Sequence, residues 1–140
     1  AGRLLRMVDL PASPQVAREL AVRAGASVLL IETVGIVDSR PISVGSHFFS
    51  SARVPGMKEA YQAESSITRA LRRIGVADYV RRTTRITARP ADGEEARLLN
   101  LPKNRPVLVS ESVNVDAAGK PLEYGLARFA GDRVQLVVES

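Results

Sequence analysis

The sequence has 140 residues, 45% hydrophobic and 25% charged, which is typical of one folded globular domain and excludes disordered and collagen-like chains. It contains no cysteine, so disulfides, thiolate zinc sites, iron–sulfur clusters and cysteine nucleophiles are excluded. Lys and Arg number 20 against 15 Asp and Glu, a net charge of +5 that makes nucleic acids and small anions candidate ligands.

Membrane and secretory segments are not predicted. The longest apolar stretch, Ser27–Val37, is interrupted by Glu32 and is far shorter than the ~18 residues that a membrane-spanning helix needs. The first residues lack the basic-then-apolar pattern of a signal peptide. We therefore expect a cytoplasmic location.

An internal repeat organises the chain. Residues 3–54 align with residues 82–134 at an offset of 79, which becomes 80 after one inserted residue. The matched positions include Pro11 with Pro90, Glu32 with Glu111, Pro41 with Pro121, Gly45 with Gly125, and Phe49 with Phe129. Each copy is predicted to form a strand, a helix and two further strands.

In the first copy, Ser13 is a candidate helix N-cap, followed by Pro14 at the first helical position, and Gly25 is the predicted stop. The β-branched run Ser27–Val37 predicts a strand that returns as a hairpin through the turn Asp38–Pro41.

Between the copies, residues 55–79 are helical in pattern. A first helix contains Met57, Ala60 and Tyr61 at helical spacing. A second carries apolar residues at positions 67, 70, 71 and 74 and ends at Gly75, with Ser65 or Ser66 as its cap.

The second copy begins with an alternating strand that places Arg81, Thr83, Arg85, Thr87 and Arg89 on one face. Asp92 and Glu95 form a capping-box pattern at the start of a helix over residues 96–101, which ends at Pro102. The run Pro106–Val115 and a turn over residues 116–121 predict a second hairpin, and the alternating tail Arg133–Glu139 predicts one more strand beside it. The fold class is therefore α+β, with an antiparallel sheet of about six strands, short helices packed on it and a site at the junction of the two halves.

Motifs of standard enzymes are absent. The sequence has one histidine and lacks HExxH, GxSxG, Walker and GxGxxG motifs, so we predict no catalytic metal and no cofactor. His47 is either a packed structural histidine or a ligand-facing one. Glu32 and Glu111 are either an acid/base pair or structural contacts left by duplication.

Arginine dominates residues 69–89, and this run is either a solvated surface or part of an anion-recognition wall. Ser66 and Thr68 occupy a predicted first helical turn, where unpaired N–H groups and the helix dipole favour an anion; the alternative is a plain cap. The chain has no Trp, only three Phe and three Tyr, and no helix-turn-helix or zinc-finger spacing. We therefore expect that this chain does not itself read DNA.

The whole chain resembles the UTRA domain, the effector-binding domain of the GntR/HutC transcription regulators, whose fold is that of chorismate lyase. The resemblance is carried by residues 38–42, 66–68, 119–124 and 131–133, and residues 46–49, 53–56, 64–68 and 129–134 are similar to members that regulate phosphonate metabolism. It implies that residues 1–140 are an effector-binding domain, and that a winged helix-turn-helix domain absent from this chain binds operator DNA as a homodimer.

The resemblance also implies a site. In members that bind phosphosugars, the anion lies at the helix start that matches Ser66 and Thr68, near an acidic residue matching Glu123 and an aromatic matching Phe129. Those members have two arginines at the positions of Thr33 and Gly35, so the anion's charge partner here is open. Arg53 and Arg85 are the replacements that charge alone suggests, and Thr33 and His47 complete the candidate effector-binding set.

Two functions of different class follow. The first is a non-enzymatic sensor whose ligand is a phosphonate, a phosphate ester or a related small anion and which changes operator binding. The second is a chorismate-lyase-like enzyme that acts on a small carboxylate, supported by the shared fold alone. A ligand-free dimerisation module is a further alternative.

Overall fold

Six strands form one antiparallel sheet in the order β1-β2-β3-β6-β5-β4 in a computed structural model that describes residues 2–102 and 104–139. The strands are β1 Gly2–Pro11, β2 Ser27–Val37, β3 Arg40–Ser50, β4 Tyr79–Pro90, β5 Pro106–Asp116 and β6 Pro121–Ala130. The helices are α1 Pro14–Leu20, α2 Met57–Glu64, α3 Ile67–Arg73 and α4 Gly93–Leu98, with a short 3-10 turn at Ser51–Arg53. The predicted fold class is confirmed.

The strand order reflects the sequence repeat. Strands β1, β2 and β3 occupy one half of the sheet and β4, β5 and β6 the other, in mirrored order about the pairing of β3 with β6. Both halves therefore have the predicted succession of strand, helix, strand and strand.

The helices divide the sheet into two faces, named here for what covers them. On the front face, α2 and α3 pack over one end, where Ala70 and Leu71 meet Leu29, Ile31 and Phe49. On the back face, α1 and α4 cover two separate clusters. Among the described residues, the front-face cluster is confined to that end of the sheet.

On the back face each helix packs against strands of the opposite half. Val16 and Leu20 of α1 contact Val113 and Tyr124 from the second half. The α4 region, through the fully buried Leu99, contacts the first half in the same way. The two halves consequently share one core.

Both helix starts on the back face follow the predicted capping chemistry, but the helix ends differ from prediction. The Ser13 side chain accepts a hydrogen bond from the Val16 N–H, and Asp92 and Glu95 form a complete capping box. Helix α4 runs from Gly93 to Leu98, so it begins three residues before the predicted start and also ends before the predicted end at residue 101. Helix α1 ends at Ala21, which adopts a left-handed φ of 54°, so Gly25 lies in the following turn instead.

The strand predicted for the tail Arg133–Glu139 is wrong. Both strands of the second hairpin already have two neighbours, because β5 pairs with β4 and β6, and β6 pairs with β3 and β5. No backbone edge is left beside that hairpin for another strand. The tail is instead fixed at Arg133, whose guanidinium donates to the carbonyls of Pro41, Leu99 and Asn100.

The single arginine face predicted for β4 is also wrong. Arg81 pairs with Asn114 and Thr83 pairs with Val113, so the register shifts by one residue between them. This bulge places Arg81 on the front face with Asn114, while Arg85 lies on the back face with Glu111.

Replacing Leu71 by Ala tests the front-face core. Leu71 is fully buried between α3 and the sheet, and removing its side chain is expected to lower the free energy of unfolding by about 2–5 kcal/mol. Val137→Ala is the control, because Val137 lies in the tail and is 69% exposed, and it should change the free energy by no more than about 0.5 kcal/mol. Urea denaturation measures both, and equal effects would contradict this packing.

Candidate functional site

A cavity of about 180 Å³ lies on the part of the front face that α2 and α3 leave uncovered. Its floor is made of small side chains on two central strands, Ser110 and Ser112 from β5 and Gly125 and Ala127 from β6. Charged side chains stand at one end and Phe129 at the other. The remaining lining residues are His47, Arg81, Glu123 and Leu126.

Two glycines leave space at the floor of this cavity that a side chain would fill. A Cβ atom at Gly125 would lie 3.2 Å from Oγ of Ser112 and 3.8 Å from Oε2 of Glu123. A Cβ atom at Gly45 would lie 3.1 Å from Nε2 of His47. Neither glycine has a positive φ, so space above the sheet, and not backbone conformation, is what their lack of a side chain provides.

Four polar side chains form one chain of hydrogen bonds across the charged end. Nδ1 of His47 lies 2.6 Å from Oε2 of Glu123, and Nδ2 of Asn114 donates to Oε1 of Glu123 at 3.1 Å. Nε of Arg81 donates to Oδ1 of Asn114 at 3.2 Å. Because the carboxylate accepts, Nδ1 of His47 carries a proton, and Nε2 of a neutral ring is left as an acceptor.

The structure brings four of the predicted site residues together. His47, Glu123 and Phe129 line the cavity, and Thr33 pairs across the sheet with Gly45 on the same face. His47 is hydrogen-bonded to Glu123, and its side chain is 29% exposed.

Ser66 and Thr68 lie outside the residues that line this cavity. Ser66 is the N-cap of α3 and accepts from the Arg69 N–H at 3.2 Å, and Thr68 is exposed in the first turn. Ser65 terminates α2 in a left-handed conformation, so it does not share the capping role of Ser66.

Arg53 and Arg85 are engaged elsewhere. Arg53 donates to the carbonyls of Leu20 and Pro121, which ties the end of α1 to the start of β6. Arg85 extends over the back face and pairs with Glu19 of α1 at 2.5 Å. Neither guanidinium lines the front-face cavity.

A larger groove of about 620 Å³ crosses the back face beside α4, and several of the charged side chains in and beside it are paired with one another. Arg6 donates to Glu32 at 2.7 Å, and Ser46 donates to the other oxygen of Glu32 at 2.8 Å. Arg89 binds both oxygens of Glu95 at 2.7 Å, which is the bidentate geometry of a strong ion pair. These contacts indicate a structural role for the groove's charges.

Glu32 and Glu111 occupy matching positions on the back face and have different partners. Glu32 is held by Arg6 and Ser46, whereas Glu111 accepts from the Tyr124 hydroxyl at 2.6 Å. Burial raises the pKa of Glu32, but its hydrogen bonds from Arg6 and Ser46 lower the pKa by more. Burial and the contact with Glu111 raise the pKa of Tyr124. These contacts favour the structural alternative for the two glutamates.

Among the residues described, 2–102 and 104–139, no cluster of three His, Cys, Asp or Glu side chains is placed to hold a metal ion. Over the same residues, no helix is both long and apolar enough to cross a membrane.

The family model of the UTRA domain matches residues 1–135. The chain is a UTRA domain. The resemblance on which its fold and site were predicted is therefore confirmed at the level of the family.

Two curated relatives of this UTRA domain are transcriptional regulators by name. An uncharacterized HTH-type transcriptional regulator of Rhizobium meliloti, RB1450, is 39% identical over 98% of the chain and 56% of its own length. The HTH-type transcriptional repressor PhnF of Mycolicibacterium smegmatis is 30% identical over 96% of the chain and 55% of its own length. The UTRA domain thus spans about half the length of the curated relatives it matches.

A solved structure shows the same architecture. The crystal structure of PhnF from Mycobacterium smegmatis aligns with a TM-score of 0.90 and 27% identity, covering 99% of the UTRA domain and 61% of that chain. These relatives carry the names of transcriptional regulators, which supports a regulatory domain over the enzyme alternative.

The sequence analysis missed Arg81 and Asn114 at this site. Strict alternation along β4 predicts that Arg81 shares a face with Arg85, and no sequence signal marks the bulge that moves Arg81 to the front face. Asn114 lies between Val113 and Val115 in a buried part of β5. A polar residue among buried valines was the signal that could have identified it as a candidate site residue.

Replacing Glu95 by Gln tests the back-face ion pair through its pH dependence. Hydrogen bonding by Arg89 lowers the pKa of Glu95 and outweighs burial, which raises it. A lowered folded-state pKa contributes stability above the unfolded pKa of about 4.3, and this is lost as pH falls through the folded pKa. At pH 7 the free energy of unfolding of the variant should be lower by about 1.5 kcal/mol. This is the low end of the range for hydrogen bonds to charged groups, because the Arg89 side chain is 41% exposed to solvent.

The difference between wild type and Glu95→Gln should shrink as the pH is lowered to about 2, measured by urea denaturation across the pH range. Glu94→Gln, an exposed neighbour in the same helical turn, should track the wild type at every pH. A difference for Glu95→Gln that is independent of pH would contradict the proposed ion-pair contribution.

Proposed function

We propose that this UTRA domain is the effector sensor of a cytoplasmic GntR-family transcriptional regulator and that its effector is a small anion. The observation that carries the proposal is the front-face cavity, in which a charged end and an aromatic end face each other over a floor of small residues. This arrangement has convergent polar groups in a concave site, as small-molecule sites do.

The size of the cavity supports a small effector. Its volume of about 180 Å³ is below the roughly 300–1,000 Å³ typical of sites for drug-sized ligands. An alkylphosphonate or a simple phosphate ester suits this volume better than a phosphosugar. The name of the relative PhnF, a transcriptional repressor, supports regulation as the output, and a role in phosphonate metabolism is part of the proposal.

The proposed effector contacts are the residues at the cavity and those that the family resemblance implies. His47, Glu123 and Phe129 line the cavity, with Thr33 beside them. Ser66 and Thr68 at the start of α3 are contacts that the resemblance implies, and their hydroxyls are part of the proposed set.

In the whole protein, a winged helix-turn-helix domain outside this chain binds operator DNA, and the regulator acts as a homodimer. The effector binds one arrangement of the two domains more tightly than the other and so shifts their populations. A ligand changes this equilibrium only by the difference between its affinities for the two arrangements.

Replacing Gly125 by Ala tests the cavity. The added Cβ, 3.2 Å from Oγ of Ser112, narrows the floor, so the rise in melting temperature caused by methylphosphonate should shrink. A ligand at 100 times its dissociation constant stabilises the wild type by about 2.7 kcal/mol, which a thermal-shift assay at low salt detects. The panel also includes inorganic phosphate, a phosphosugar and chorismate.

Gly93→Ala is the matched control, because a Cβ at Gly93 meets nothing within 4 Å. It should respond to the anions as the wild type does. A wild type that responds to none of the anions would contradict the proposed effector class, and turnover of chorismate would contradict the proposed function.

The isolated domain should bind operator DNA only weakly despite its pI of about 10.2. Its positive charge is spread over a sheet edge and short helices, and such contacts weaken steeply with added salt. Electrophoretic mobility shifts with residues 1–140 and with the full-length regulator measure this. Tight, sequence-selective binding by the domain alone would show that the DNA contact is misplaced.

A further inference from the structure

We propose that Arg81 is the charge partner of the anionic effector, at the end of the front-face cavity where β4 meets β5. This inference rests on the proposed function, since it assumes that an anion binds in this cavity. It answers a question that the sequence left open, namely which cation of this chain pairs with the anion.

The backbone directs Arg81 to the cavity. A register shift between Arg81 and Thr83 places Arg81 opposite Asn114 on the front face, whereas Arg85 lies opposite Glu111 on the back face. Bulges occur frequently beside functional sites, where they redirect a side chain. The matching strand β1 has its register shift between Leu4 and Arg6, at a different point of the repeat, so the bulge in β4 is specific to the second half.

The side-chain contacts orient Arg81 for an anion. Its Nε donates to Oδ1 of Asn114, and Asn114 is fixed in turn by Glu123, which His47 also contacts. The contact at Nε leaves the two terminal Nη groups of the fork for a ligand. A guanidinium held in this way binds a phosphonate or carboxylate through two parallel hydrogen bonds.

The other candidate cations do not reach this position. Among the residues that line the cavity, the only cationic side chains are Arg81 and, when protonated, His47. Arg53 holds main-chain carbonyls and Arg85 pairs with Glu19. Both oxygens of the Glu123 carboxylate are engaged, one by Asn114 and one by His47.

The geometry also defines the ligand. Arg81 and His47 stand at one end of the floor and Phe129 at the other, with the hydroxyls of Ser110 and Ser112 between them. The matching ligand has an anionic head group and a short apolar body. A methylphosphonate or a longer alkylphosphonate has this form, and inorganic phosphate has the head group alone.

The test compares Arg81→Gln with Arg82→Gln by isothermal titration calorimetry with methylphosphonate, propylphosphonate and inorganic phosphate. Both arginines are exposed residues of β4, but only Arg81 lines the cavity, so the two variants lose the same charge on the same strand and differ in their place relative to the site. Arg81→Gln should raise the dissociation constant by about tenfold or more, as expected for loss of hydrogen bonds to a charged group. Arg82→Gln should stay within about twofold of the wild type, as expected for an exposed charge.

Thr68→Ala separates the two possible positions of the anion. Loss of binding in Arg81→Gln supports the proposal whether or not Thr68→Ala also weakens binding. Retained binding in Arg81→Gln overturns it, and lost binding in Thr68→Ala would then place the anion at the start of α3. A wild type that binds none of the three anions overturns the proposed effector class together with this inference.

A second test, by NMR, uses only the wild-type domain and so does not depend on whether the variants fold. In the wild-type domain, the Nε–H resonance of Arg81 should shift on titration with methylphosphonate, and the Nε–H of Arg85 should not. A shift of the Arg85 resonance without one at Arg81 would overturn the proposal.

Discussion

The pairing of β3 with β6 is the only place where the two halves of the sheet exchange main-chain hydrogen bonds within the residues described, and the candidate site depends on it. Its register sets His47 opposite Gly125 and Phe49 opposite Glu123. His47 therefore reaches Glu123 diagonally across two strands, a contact that neither half could make by itself. A slip of one residue would move His47 and Glu123 to opposite faces and remove both the hydrogen bond and the cavity floor.

The same sheet presents two different electrostatic surfaces. On the back face, opposite charges lie close enough to neutralise one another, as Arg6 with Glu32 and Arg89 with Glu95 do, and they hold α4 and β1 in place. On the front face, the polar groups are joined in a single chain that ends in Arg81 and His47, and the surface beside them is made of small residues. The paired charged side chains of the back face stabilise the fold. A charged side chain with unused N–H donors beside the cavity, such as Arg81, is available to bind a ligand.

The fold was largely predictable because its signals are local. Capping residues at Ser13 and Asp92, β-branched runs and the internal repeat identified the six strands and both back-face helices, and the family resemblance implied the same fold. The errors have non-local causes: the tail has no free strand edge to join, and the bulge in β4 arises from pairing with β5. Glu123 and Phe129 could be named from the resemblance and His47 from the sequence, but the connection of His47 and Glu123 through Asn114 to Arg81 required the register of four strands.

The exchange of helices between the halves has a consequence for the order in which the chain folds. During synthesis, residues 2–50 leave the ribosome before the second half, so α1 emerges without Val113 and Tyr124, on which its apolar side packs. In the same way, the buried residues Val34 and Val44 lack their packing against Leu99 until the chain is more than fifty residues longer. Contacts of such long sequence separation close late and slow folding. The first half therefore lacks much of its back-face packing until the second half emerges, so we expect the two copies of the repeat to fold together.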